Sequence, residues 1–132
     1  MGCVMSAWTN DFAPPARAAV MEVHGTGDQI TLWAGDPTNR AGWGAYLGTE
    51  AVMDFWVRKL ALEKSDTTEL PKLQPQKNAR IRLRRWWATA DLAEVRLYEI
   101  QDAGHRWPGN VGNPEISTAA EIWHFFQRHR PP

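Results

Sequence analysis

Apolar and polar positions recur along this chain in distinct segments, and each period predicts an element. Ala18-Ala19-Val20-Met21-Glu22-Val23 is a mostly apolar run stopped by His24-Gly25-Thr26-Gly27-Asp28. A short apolar run ended by a Gly-rich turn predicts a buried parallel strand. From Thr49 to about Leu62, Val52, Phe55, Trp56 and Leu60 recur at helical spacing. That stretch predicts a helix capped by Thr49, with one face on a sheet. Ala79 to Trp87 alternates, with Ile81, Leu83 and Trp87 on one face and Arg80, Arg82 and Arg84 on the other. This is the pattern of a strand with one wet face. Ala93 to Ile100 is a second such run, and the turn-length Ala88 to Leu92 predicts a hairpin between them. Thr118 to Arg128 predicts a last helix, with Thr118 and Glu121 as a capping box and Ala119, Ile122, Trp123 and Phe126 as its apolar stripe.

The stretches between these segments lack a period. Residues 1–16 end in Pro14-Pro15 and are expected to form a lead-in, with 17–132 as the folded part. Gln29 to Gly48 is rich in Gly, Pro and Asn, and predicts a long loop carrying Trp33, Trp43 and Tyr46. Glu63 to Asn78 is polar, contains Pro71 and Pro75, and predicts a surface loop. One buried strand, a helix, a hairpin and a final helix predict an α/β fold, with too few parallel strands for a finished sheet.

Composition narrows the functional classes. Fifteen Lys+Arg balance fifteen Asp+Glu among 132 residues, so no global field draws the chain to nucleic acid or an anionic membrane. The arginine row is explained more simply as a solvated strand face than as a basic patch. No apolar run approaches transmembrane length, and the N-terminus lacks a signal-peptide layout. Met1-Gly2-Cys3-Val4-Met5-Ser6 fits the N-myristoylation pattern, a short string easily met by chance. Cys3 is the single cysteine, which excludes an intrachain disulfide. The eight tryptophans are many for this length; they either line a groove or serve as core bulk.

The candidate chemistry lies in two Gly-rich turns. Ala103-Gly104-His105-Arg106-Trp107-Pro108-Gly109 follows the second hairpin strand, with Gly104 expected to let the backbone turn. Asp28 lies in the turn after the first strand. If those strands are parallel neighbours, both turns share the sheet edge at which open α/β sheets bind ligands. An Asp that orients a His fixes its tautomer and stabilises the imidazolium, the acid–base half of a triad. A lone loop histidine is, however, more often a surface or hydrogen-bonding residue than a catalyst.

These motifs resemble one family. His24-Gly25-Thr26-Gly27-Asp28 is similar to the acid-bearing motif of the α/β-hydrolase esterases that include polyhydroxybutyrate depolymerases, feruloyl esterases and acetylxylan esterases. Gly104-His105-Arg106-Trp107-Pro108-Gly109 resembles that family's histidine motif, and Glu121-Ile122-Trp123-His124-Phe125-Phe126 its terminal helix. Val52 to Leu60, with Phe55-Trp56, resembles the helix between them, so the likeness covers about residues 18 to 130. It implies the C-terminal segment of an α/β-hydrolase, begun at an internal Met: a partial parallel sheet with a hairpin and two helices. By resemblance Asp28 is the triad acid, His105 the base, and Trp107, Trp33 and Trp43 shape the substrate pocket. His24 is then structural. The resemblance implies no metal and no organic cofactor, a polyester or plant cell-wall ester as substrate, and an extracellular setting.

The family nucleophile sits in Gly-x-Ser-x-Gly ahead of the acid, and this chain has no such string. Its serines are Ser6, Ser65 and Ser117, none of them flanked as an elbow requires. The expectation is the Asp–His portion of a serine ester hydrolase whose N-terminal half is a separate partner or missing. Alone, such a chain should not run acyl transfer. The competing expectation is a non-catalytic product, either a fragment or a Trp-rich module that binds sugar or aromatic polymer.

Overall fold

The computed structural model describes residues 18–71, 80–89, 93–107 and 116–129. The predicted lead-in 1–16, with Cys3, Ser6 and Trp8, lies outside the described residues. So do Pro75, the hairpin tip at 90–92, and Pro108 and Gly109 of the histidine loop. In chain order the elements are β1 (Ala19–Gly25), β2 (Gly35–Asp36), β3 (Tyr46–Leu47), α1 (Thr49–Lys59), β4 (Lys64–Leu70), β5 (Ile81–Trp87), β6 (Glu94–Ile100) and α2 (Thr118–Arg128). Four strands form one mixed sheet in the order β1-β6-β5-β4, and β2 and β3 form a separate short antiparallel pair. β1 and β6 are parallel, while β5 is antiparallel to both of its neighbours.

The alternation along β6 assigns the two faces. Val95 and Leu97 meet Val52, Met53, Trp56 and Leu60 of α1 and its C-terminal end. Tyr98 and Ile100 join Ile81 of β5 and Ile116 on the opposite face. There the Tyr98 hydroxyl donates to Glu121 Oε2 of α2 at 2.6 Å. The Arg96 guanidinium stacks 5.1 Å from the Phe125 ring centroid. The sheet therefore lies between α1 and α2, an α/β arrangement in which β6 is covered on both faces. Val95, Leu97, Tyr98 and Ile100 are all fully buried as a result.

Several sequence expectations need correction. The polar stretch after α1 is not a plain loop, because Lys64–Leu70 is edge strand β4, paired along its length with β5. Both its faces are wet, so no apolar alternation marks it, and its charges blunt the open edge. The 29–48 stretch is not wholly irregular either, since it carries β2 and β3. Thr49 is not the cap of α1; Gly48 is, and the Thr49 N–H donates to the Trp33 carbonyl at 2.9 Å. The helix ends at Lys59, before Leu62. Ala61 sits in the left-handed region at φ 49°, and the Ala61 and Leu62 N–H groups reach back to Arg58 and Val57 carbonyls. Those paired bonds close a Schellman turn.

The capping box of α2 does not form. Ser117 is the N-cap, and the Glu121 carboxylate is occupied by Tyr98. The packed stripe is also displaced by one position. Thr118, Ile122, Phe125 and His129 lie on the sheet side at helical spacing, with Phe125 only 1% exposed. The neighbouring line of Ala119, Trp123 and Phe126 faces outward, with Phe126 61% exposed. In the arginine row Arg80 and Arg82 are exposed, as a wet strand face requires, while two of its members also find carboxylates. Arg84 donates to both oxygens of Glu50 on α1, and Arg82 reaches Glu99 across the β5–β6 pair. The tryptophans are put to more than the two expected uses: Trp56 is core, Trp107 lines a groove, and Trp43 and Trp123 are simply exposed.

Candidate functional site

Parallel pairing in the register Ala19↔Glu94 to Gly25↔Ile100 brings the carboxyl ends of β1 and β6 level. The loops leaving them are then tied together by backbone. The Thr26 N–H donates to the Ile100 carbonyl and the Gly27 N–H to the Ala103 carbonyl, both at 3.0 Å. The Asp102 N–H donates to the Thr26 hydroxyl at 2.9 Å. Such close approach leaves no room for a side chain at Gly25, whose Cβ would stand 2.2 Å from the Ala103 carbonyl oxygen. Gly104 carries no such constraint. A Cβ there would meet nothing within 4 Å, and the left-handed residue of this loop is Asp102 at φ 57°. The expected turn-making role of Gly104 is therefore taken by Asp102, a residue type that tolerates this conformation.

Asp28 is buried and its two oxygens are divided between partners. Oδ1 accepts from the backbone N–H groups of Ile30 at 2.8 Å and Thr31 at 3.0 Å, closing an Asx turn. Oδ2 lies 2.8 Å from His105 Nδ1. Burial opposes the carboxylate charge, but the Ile30 N–H, His105 and the Thr31 N–H outweigh it and hold Asp28 below the usual carboxylate range. An ionised carboxylate only accepts, so Nδ1 is the donor and His105 is fixed in its Nδ1–H form. Among the described residues Nε2 has no hydrogen-bond partner. The side chain is 45% exposed. It borders a cleft of about 240 Å³ lined also by Val23, Gly25, Ile100 and Trp107. An imidazole held this way presents a lone pair to the cleft and can act as a general base.

The other expected site residues are scattered. Trp107, 39% exposed, borders the cleft beside His105 and also an apolar groove of about 450 Å³ along β1 and α2. Trp33 does not reach the cleft. It packs on the α1 core and meets the His24 ring edge-on at 5.6 Å. Trp43 stands on the loop between β2 and β3, 64% exposed and outside the cleft lining. Ser65 pairs with Trp86, which pairs with Val95, so it lies on the far edge strand and at the opposite end of the sheet from His105. Ser117 is the N-cap of α2. Among the described residues no three acidic, His or Cys side chains group to hold a metal ion, and no helix is long and apolar enough to cross a membrane.

Sequence reasoning gave His24 a structural place but not the grip that it and Tyr46 make beneath Asp28. His24 Nε2 donates to the Thr31 carbonyl at 2.8 Å, and the Tyr46 hydroxyl accepts from the Leu32 N–H at 3.0 Å. The only trace of this in the sequence is the placement of His24 four residues before Asp28. Comparison with family models, curated proteins and solved structures returns no match for this chain.

Proposed function

We propose that this chain carries the acid and base of a serine carboxylic-ester hydrolase, as the C-terminal segment of an α/β-hydrolase domain. One observation supports this above the others: Asp28 and His105, 77 residues apart, meet at 2.8 Å on the level ends of two parallel strands, beside an open cleft. In this reaction His105 Nε2 takes the proton of a serine hydroxyl as the serine oxygen attacks the ester carbonyl. The imidazolium, stabilised by Asp28, then returns the proton to the departing alcohol. Water repeats the cycle on the acyl-serine and releases the acid. Trp107 walls the cleft against an apolar acyl or aromatic group, which suits a polyester or a plant cell-wall ester. The attacking serine and its oxyanion hole are supplied by a segment that precedes Asp28 in the complete domain, since this chain holds no Gly-x-Ser-x-Gly string.

A second function has its own support. Trp43, Trp123 and Phe126 are exposed, as in modules that stack on sugar or aromatic polymer. Hydrolysis of a chromogenic short-chain ester separates the two. The test uses the product extended in frame upstream of Met1. Turnover lost on His105→Ala supports the hydrolase. Polymer binding without turnover supports the module.

A further inference from the structure

Asp28 is useful to His105 only if Oδ2 is left free and aimed, and that depends on how the 28–31 turn is held. Oδ1 is saturated by the Ile30 and Thr31 N–H groups. The next peptide, between Thr31 and Leu32, is gripped from both ends. His24 Nε2 donates to its carbonyl at 2.8 Å and its N–H donates to the Tyr46 hydroxyl at 3.0 Å. Both gripping side chains are buried, His24 at the end of β1 and Tyr46 in β3. His24 is itself oriented from three sides. Glu22 Oε1 and Thr49 Oγ1 each lie 3.3 Å from Nδ1, and Trp33 packs edge-on against the ring.

We propose that His24 is a positioning residue for the Asp28–His105 pair: its Nε2–H, seated on the Thr31 carbonyl, locks the turn that commits Asp28 Oδ1 to backbone and leaves Oδ2 for His105. Its Nε2 also stands 3.8 Å from Oδ2, too far for a hydrogen bond. Burial works against charge on His24. The Glu22 carboxylate, the Thr31 carbonyl and Asp28 together overcome it and raise its pKa above the ordinary histidine value. The inference rests on the proposed role of the Asp28–His105 pair, and its test needs no turnover.

The test is the tautomer of His105, read from ring ¹⁵N shifts in the full chain near neutral pH. Asp28→Asn, which removes the carboxylate, sets the size of the signal. Gln at position 24 carries a donor where Nε2 stood, whereas Asn carries one only where Nδ1 stood. His24→Gln should keep the Nδ1–H form of His105. His24→Asn should lower the ratio of Nδ1–H to Nε2–H about fivefold, the worth of one net hydrogen bond. Tyr46→Phe, which loses the other grip on the same peptide, should move the ratio in the same direction. A His24 that only filled space would shift the melting temperature and leave the tautomer alone. An unchanged ratio in His24→Asn beside a large change in Asp28→Asn would overturn the inference. An unchanged ratio in Asp28→Asn itself would remove the pair, and the inference with it.

Discussion

Gly25 and Ala103 touch across the ends of two parallel strands, so closely that a methyl group on Gly25 would stand 2.2 Å from the Ala103 carbonyl oxygen. That contact brings the acid loop and the histidine loop into one hydrogen-bonded unit. Gly25→Ala must push the loops apart, with overpacking expected to cost about 1–3 kcal/mol. Denaturant unfolding should report that loss, and the His105 tautomer preference should fall with it. Gly104→Ala, in open space, should do neither.

The opposite end of β6 holds a buried charge cluster. Glu94 accepts from Arg96 Nε at 2.7 Å, Arg85 Nε at 3.1 Å and His129 Nε2 at 2.9 Å. Burial opposes its charge, but Arg96, Arg85 and His129 prevail and lower its pKa from 4.5 to about 2. A carboxylate depressed on folding stabilises the fold above its unfolded pKa and loses that contribution as pH falls through the folded value. The contribution is on the order of 3 kcal/mol. Stability should therefore decline between pH 4.5 and about 2. Glu94→Gln should lower stability at neutral pH and flatten that decline, measured by unfolding across the pH series.

The displaced stripe of α2 makes two adjacent phenylalanines unequal. Phe125→Ala should cost about 3–5 kcal/mol, because the ring is buried against Arg96 and the sheet. Phe126→Ala should stay within about 0.5 kcal/mol, since that ring is exposed. Equal losses in thermal unfolding would contradict the helix's orientation.

Ala61 occupies a left-handed position for which glycine is better suited. Ala61→Gly should stabilise by about 1 kcal/mol, a rise of roughly 3–5 °C in Tm.

Strands β5 and β6 and helix α2 were legible because each is covered on at least one face and carries a period, and β1 because its apolar run ends in a Gly-rich turn. The meeting of Asp28 with His105 was legible because both follow such strands in Gly-rich turns. Edge strand β4 was not, since Lys64 to Glu69 are exposed on both faces and only pairing with β5 makes them a strand. The stripe on α2 was displaced because Phe125 and Phe126 are equally apolar in sequence, and only the sheet decides which is buried. Trp33 was placed at the cleft by resemblance alone, but its ring turns to His24 and the α1 core. The grip of His24 and Tyr46 on one peptide joins β1, the 28–31 turn and β3, and no local pattern encodes it.

The central claim is that His105 and Asp28 serve an ester-cleaving serine. The most direct measurement is hydrolysis of a chromogenic short-chain ester by the product extended in frame upstream of Met1, beside its His105→Ala and Asp28→Asn variants. The account predicts a Gly-x-Ser-x-Gly elbow in that extension, and turnover that falls by about three orders of magnitude or more in each variant. An upstream frame without that elbow, or turnover that survives both substitutions, would contradict it.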